Sequence, residues 1–242
     1  MKTHGTTVRV LRVFTDNAGR HGNNLGVVEG ALVEPGDRQR VARELGFSET
    51  IFIDDYSSGQ LQIFTPAAEL PLAGHPLVGA AWVLRTDKDS DDSSTPAGDC
   101  HPDSATPLTL RPPGGLVRAW TDAEERTWIE APLDGLPDWT LVELSSPAAI
   151  EDLKGPLRPE NDHVVYWSWL NTGIMRVRCF GPRFGIAEDE ATGSAALRLT
   201  ALHSKPIEIR QGKGSLLFAQ PVDAARAAVG GMVVEDDPLP LP

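Results

Sequence analysis

Short apolar runs alternating with polar positions recur along the chain and define most of its elements. "VRVLRVF" (8–14), "LGVVEG" (25–30), "TIFID" (50–54) and "LQIFTP" (61–66) carry the two-residue period and β-branched content of strands, with Tyr56-Ser57-Ser58-Gly59 turning between the last two. "GDRQRVARELG" (36–46) has helical spacing instead, with Asp37 placed as N-cap and Gly46 as stop. "GHPLVGAAWVLR" (74–85) predicts a second helix with Pro76 in its first turn, where the missing N–H costs nothing. Leu77, Val78, Ala80, Ala81, Trp82, Val83 and Leu84 leave that helix almost no polar face, so it is expected to be buried on all sides within a wrapping sheet.

Residues 86–106 are polar and low in hydrophobicity, which predicts a loop and divides the chain into an N-terminal lobe (1–106) and a C-terminal lobe (107–242). Strands resume at "LTLRP", "LVRAWT" and "RTWIEAP". A short helix follows at 145–155, with Ser146 as N-cap and Pro147 at its first position. "HVVYWSWL", "IMRVRCF", "IEIRQ", "SLLFAQ" and "GMVVED" complete the strands, and "DPLPLP" reads as a frayed tail. The second half thus repeats the plan of the first. Ala73-Gly74-His75 opens one apolar helix and Thr192-Gly193-Ser194 opens the other. Two such lobes facing each other predict a shared cleft at the helix starts.

Composition narrows the function. The 242 residues are 40% hydrophobic and 23% charged, ordinary for a globular protein with a proper core. No apolar run approaches the roughly 20 residues that span a bilayer. The first residues, "MKTHGTTVRVLRVFT", lack a signal-peptide pattern, so a cytoplasmic location is expected. A net charge of −12 without a Lys/Arg cluster argues against nucleic acid as partner. Cys100 and Cys179 are too few for a disulfide framework or a zinc site. There is no His/Cys cluster or glycine fingerprint, so no metal, nicotinamide, flavin or other cofactor is expected.

The candidate chemistry lies in three short stretches. Helix starts at Gly74 and Gly193 would offer unpaired N–H groups and partial positive charge to a ligand carboxylate, with no Cβ in the way. Either glycine alone could equally serve close packing of strand on helix. Glu49, in "LGFSETIFI" (45–53), lies at a strand entrance among Phe47, Ile51 and Phe52. Burial there would raise its pKa toward neutrality, as a general acid/base needs, whereas an exposed turn glutamate would do nothing. His75 could bind a ligand or shuttle a proton, or merely bond a neighbouring carbonyl. Asp189, in "FGIAEDEATGSAA" (184–196), could hold an amine or accept a proton, or simply complement the helix dipole.

Five stretches in this order resemble the PhzF-like family of phenazine-biosynthesis isomerases, in the diaminopimelate-epimerase superfamily. They are "VFTDNAGRHGNNLGVV" (13–28), "LGFSETIFI" (45–53), "LQIFTPAAELPLAGHPLVGAAWVLR" (61–85), "VRCFGPRFGIAEDEATGSAA" (177–196) and "IEIRQGKGS" (207–215). The resemblance implies an α+β, diaminopimelate-epimerase-like fold: two pseudo-symmetric lobes, each a curved, mostly antiparallel sheet wrapped around a central helix. It further implies a site between the lobes, homodimers, a last strand (about 231–236) packing back on the first lobe, and a role in secondary metabolism such as antibiotic biosynthesis. By the same resemblance Glu49, His75 and Asp189 are catalytic, and Gly74, Gly193 and Ser194 bind a small-molecule carboxylate, while Glu188 and Glu190 are solvated neighbours. The activity implied is a cofactor-independent isomerase moving a proton between carbons of an unsaturated, cyclic, amino-acid-like substrate. A non-catalytic binder or a purely structural dimer on the same scaffold are the alternatives. The related epimerases use two cysteines where this chain has Ala73 and Thr192, so a two-thiol racemase is excluded. Glu190 stands where a proline is usual, and "GKGS" lacks the usual Arg-Pro before Ser215.

Overall fold

In the computed structural model, which describes residues 6–91, 107–158, 163–182 and 186–242, the chain forms two compact units. Unit 1 holds residues up to Val13, Asn24–Ile129 and Val233–Pro242; unit 2 holds Phe14–Asn23 and Glu130–Met232.

The elements are β1 (Thr7–Thr15), β2 (Asn23–Glu29), α1 (Arg38–Leu45), β3 (Glu49–Asp55), β4 (Gln60–Phe64), β5 (Glu69–Leu70), α2 (Gly74–Asp91), β6 (Leu108–Leu110), β7 (Val117–Thr121) and β8 (Thr127–Pro132), then β9 (Thr140–Glu143), α3 (Pro147–Glu151), β10 (Val164–Asn171), β11 (Ile174–Gly181), β12 (Ile186–Asp189), α4 (Gly193–His203), β13 (Ile207–Gln211), β14 (Ser215–Pro221) and β15 (Arg226–Pro240).

In unit 1, β2 and β3 run parallel with α1 as their crossover. β3–β4, β4–β5 and β6–β7 are antiparallel pairs. Period-two alternation sends Phe52 and Phe64 toward Val41 and Ala42 of α1. The opposite face takes α2, which packs on β3, β6 and β7. Its approach is close, because a Cβ on Gly79 would collide with Leu25 and crowd Leu11 and Val13. Leu77, Val78, Ala80, Val83 and Leu84 are all essentially inaccessible, as the apolar pattern predicts, whereas Trp82 is only half-buried, so the helix is not enclosed on every side.

Unit 2 repeats this order of elements. β9 and β10 run parallel with α3 between them, β10–β11 and β11–β12 are antiparallel, α4 follows, and β13–β14 is an antiparallel pair. α3 seals one face through Ile150, Leu153, Val164, Tyr166 and Phe180. α4 packs on β14 and buries Ala195, Ala196, Leu197, Leu199 and Thr200. Each unit is thus a mostly antiparallel sheet around one buried helix, the α+β plan expected. The cap of α3 is also as read, since Ser146 Oγ accepts from the Ala149 N–H at 3.3 Å.

Three expectations need correction. Helix α2 does not stop at residue 85 but runs to Asp91. Thr86 Oγ1 bonds the Trp82 carbonyl at 2.8 Å, and Asp87 pairs with Arg9 at 3.0 Å, so polar contacts rather than apolar spacing carry the extra turns. The remainder of the predicted loop, with Cys100, lies outside the described residues. Secondly, residues 107–129, read as the start of the C-terminal lobe, belong to unit 1, where β6 and β7 cover α2. Thirdly, "DPLPLP" is not a tail. β15 continues to Pro240, pinned by Arg9–Glu235 and Arg12–Asp236 pairs at 2.7 Å each, and the Leu241 N–H reaches the Thr6 carbonyl at 3.1 Å. Residues 233–242 therefore complete unit 1.

Candidate active site

Glu49 is the first residue of β3, set there by the parallel register that pairs it with Leu25. α1 ends just before it at Gly46, whose φ of 68° closes the helix with an N–H bond to the Ala42 carbonyl. The Glu49 side chain is only 16% exposed. Burial raises its pKa to about 7, with the Ser48 hydrogen bond opposing weakly. His75, the second residue of α2, is buried, and its Nε2 stands 3.4 Å from Glu49 Oε2. Gly74 opens the same helix. Unit 1 therefore assembles a shielded carboxyl that titrates near neutrality, an imidazole beside it and a helix start. An exposed turn glutamate is ruled out.

Asp189 is the last residue of β12, and Gly193 and Ser194 are the first two of α4. The Ser194 hydroxyl accepts from Trp139 Nε1 at 2.9 Å, and the Trp139 ring meets His163 edge-on at 5.4 Å. Asp189 is held from both sides: Asn23 Nδ2 donates to Oδ1 at 2.6 Å and Thr192 Oγ1 to Oδ2 at 2.6 Å. Asn23, Trp139, Thr192 and Gln211 were not read as site residues. Asn23 and Gln211 lie within the quoted motifs, but their partners are far away in sequence.

The neighbours of Asp189 are not merely solvated. Glu188 pairs with Arg178 through both oxygens at 2.6 and 2.7 Å. Glu190 accepts from the Lys213 N–H at 2.9 Å and from Ser215 Oγ at 2.8 Å, while Ser215 Oγ accepts from the Gly22 N–H at 2.9 Å. A Cβ on Gly212 would strike the Glu190 carboxylate. The unusual Glu190 and the unusual "GKGS" turn are thus one structural feature, each supplying the other's hydrogen-bond partner.

A family model described as "Phenazine biosynthesis-like protein" (PhzC-PhzF) matches residues 11–100. A trans-2,3-dihydro-3-hydroxyanthranilate isomerase of Pseudomonas aeruginosa is 32% identical over 219 residues, covering 72% of this chain and 74% of that protein. The chain belongs to the PhzC-PhzF family. Its curated relatives make it an isomerase. A PhzC/PhzF protein from Clostridium difficile, 17% identical, superposes with a TM-score of 0.75 over 97% of this chain and 98% of the other. A hydroxyproline epimerase from Agrobacterium vitis shares the fold at 11% identity, with a TM-score of 0.59 over 97% and 92%. The fold of this PhzC-PhzF protein is accordingly diaminopimelate-epimerase-like. Among its described residues, no helix is long and apolar enough to cross a membrane.

Proposed function

We propose that this PhzC-PhzF isomerase works without a cofactor and moves a proton between two carbons of a small unsaturated, cyclic, amino-acid-like carboxylate. The observation that carries this reading is Glu49, a shielded carboxyl with a pKa of about 7 and His75 at 3.4 Å. A general base is most effective when its pKa lies near the working pH. Ionised Glu49 takes a C–H proton, and the electron pair left behind shifts through the adjacent double bond. The resulting carboxylic acid returns a proton to the far carbon. Charge, electrons and protons balance, and Glu49 ends as it began. Substrate binding is assigned to Gly74 and His75 in unit 1 and to Asp189, Gly193 and Ser194 in unit 2. Support for the substrate class is the activity named for the Pseudomonas relatives.

The sign of the pH dependence follows from the base role. Glu49 must start ionised, so kcat/KM is expected to rise with pH through about 7 and then level. The test follows turnover of trans-2,3-dihydro-3-hydroxyanthranilate in heavy water across pH 5–9. Carbon-bound deuterium in product or recovered substrate, with that rising profile, is expected. A flat profile with no label at carbon overturns the reading.

A further inference from the structure

The polar groups around Asp189 direct their hydrogens toward its carboxylate. The Thr192 N–H can only donate, so the Gln211 atom facing it at 3.2 Å is Oε1. Gln211 Nε2 must then point to the Asp189 carbonyl at 2.9 Å and to Thr192 Oγ1 at 2.7 Å. With its oxygen accepting there, Thr192 directs its hydroxyl at Asp189 Oδ2. On the other side, Asn23 faces the Ala191 carbonyl at 2.8 Å, which can only accept, so the atom touching Asp189 Oδ1 is Nδ2. Asn23, Thr192 and Gln211 are all buried, at 9%, 6% and 1% exposure.

Both carboxylate oxygens therefore receive hydrogens. Donors to both oxygens favour the ionised form of a carboxylate. We infer that Asn23, Thr192 and Gln211 are positioning residues that fix Asp189 as an anionic acceptor, selecting substrates that carry an amine beside the carboxylate. This rests on the proposed docking of an amino-acid-like substrate. Gln211 acts at one remove by setting the direction of the Thr192 hydroxyl.

The experiment compares binding of trans-2-aminocyclohexanecarboxylate with that of cyclohexanecarboxylate, by calorimetry, in the intact protein and three variants. The wild type is expected to prefer the amine-bearing ring. Thr192→Val keeps the shape and removes the hydroxyl, so that preference is expected to fall roughly 10-fold while cyclohexanecarboxylate binds as before. Gln211→Glu has no hydrogen to give Thr192 Oγ1, so the hydroxyl turns toward residue 211 and the preference falls likewise. Thr192→Ser retains the hydroxyl and should retain the preference. Equal weakening of both ligands in the Val and Glu variants, or a preference that survives both, overturns the inference. A wild type that binds both rings equally also overturns it. A wild type that binds neither sinks the substrate class itself, and the inference with it.

Discussion

Glu49→Gln is expected to lower kcat on trans-2,3-dihydro-3-hydroxyanthranilate by roughly 10²–10⁴-fold, the typical contribution of one positioned acid/base. The amide keeps the shape of the side chain but can neither take nor return a proton. Stability should move the opposite way. The folded pKa of about 7 exceeds the reference 4.5 because burial penalises the charged form. The folded state therefore holds the extra proton between those values. This contribution to stability is full below pH 4.5, is lost as pH rises through 7, and stays lost above it. At pH 8 the Gln variant, which carries no charge, is expected to be more stable than the wild type by about 3 kcal/mol. Denaturant titrations at pH 5 and pH 8 check this: the gap should open at the higher pH and close at the lower. A variant that is inactive yet more stable in mild alkali cannot owe its inactivity to misfolding. Retained turnover would remove Glu49 from the mechanism.

Gly59→Val should be the most damaging single change to the fold. Gly59 adopts a φ of 74°, a region that a β-branched residue enters only under strain. Space is lacking as well, because a Cβ there would lie 2.5 Å from the Thr109 carbonyl oxygen and 3.3 Å from Leu110 Cα. Both are backbone atoms of β6, so no side-chain rotation relieves the clash. The neighbouring bonds leave no room for retreat, since the Gly59 N–H reaches the Asp55 carbonyl at 2.9 Å and the Arg111 N–H reaches the Gly59 carbonyl at 2.8 Å. Strain and clash together should cost about 3 kcal/mol or more, which lowers the melting midpoint by roughly 10 °C in a chain of this size. A midpoint within ~2 °C of the wild type would mean that the turn and β6 do not approach as described.

How far the sequence discloses this molecule depends on the range of the interaction concerned. The β3–β4 hairpin, α1 with its Gly46 stop, α3 with its Ser146 cap and the buried face of α2 all follow from residues a few positions apart, and all form where the pattern places them. Glu49 was legible because its shielding comes from adjacent apolar residues and the strand it opens. The Asp189 cage was not. Asn23 and Gln211 meet Asp189 only after the chain has folded back over 166 and 22 positions, and nothing in "GNNLG" or "EIRQG" specifies a partner. Glu190 misled for the same reason: its carboxylate is satisfied by Lys213 and Ser215, which lie beyond the helix that follows it. The proline-rich end misled through composition. "DPLPLP" contains the residues of a loop, yet β15, ion-paired to β1 just before it at Glu235 and Asp236, continues through it to Pro240, and the Leu241 N–H bonds the Thr6 carbonyl.

That last strand also has a bearing on biosynthesis. The residues that finish unit 1 are translated only after the whole of 130–232 has been made. Until then β1 lacks the neighbour to which Arg9 and Arg12 bind, and its edge is open. The half of the molecule that is translated first is therefore the half that must wait, and the nascent chain carries an unpaired strand edge for most of its synthesis.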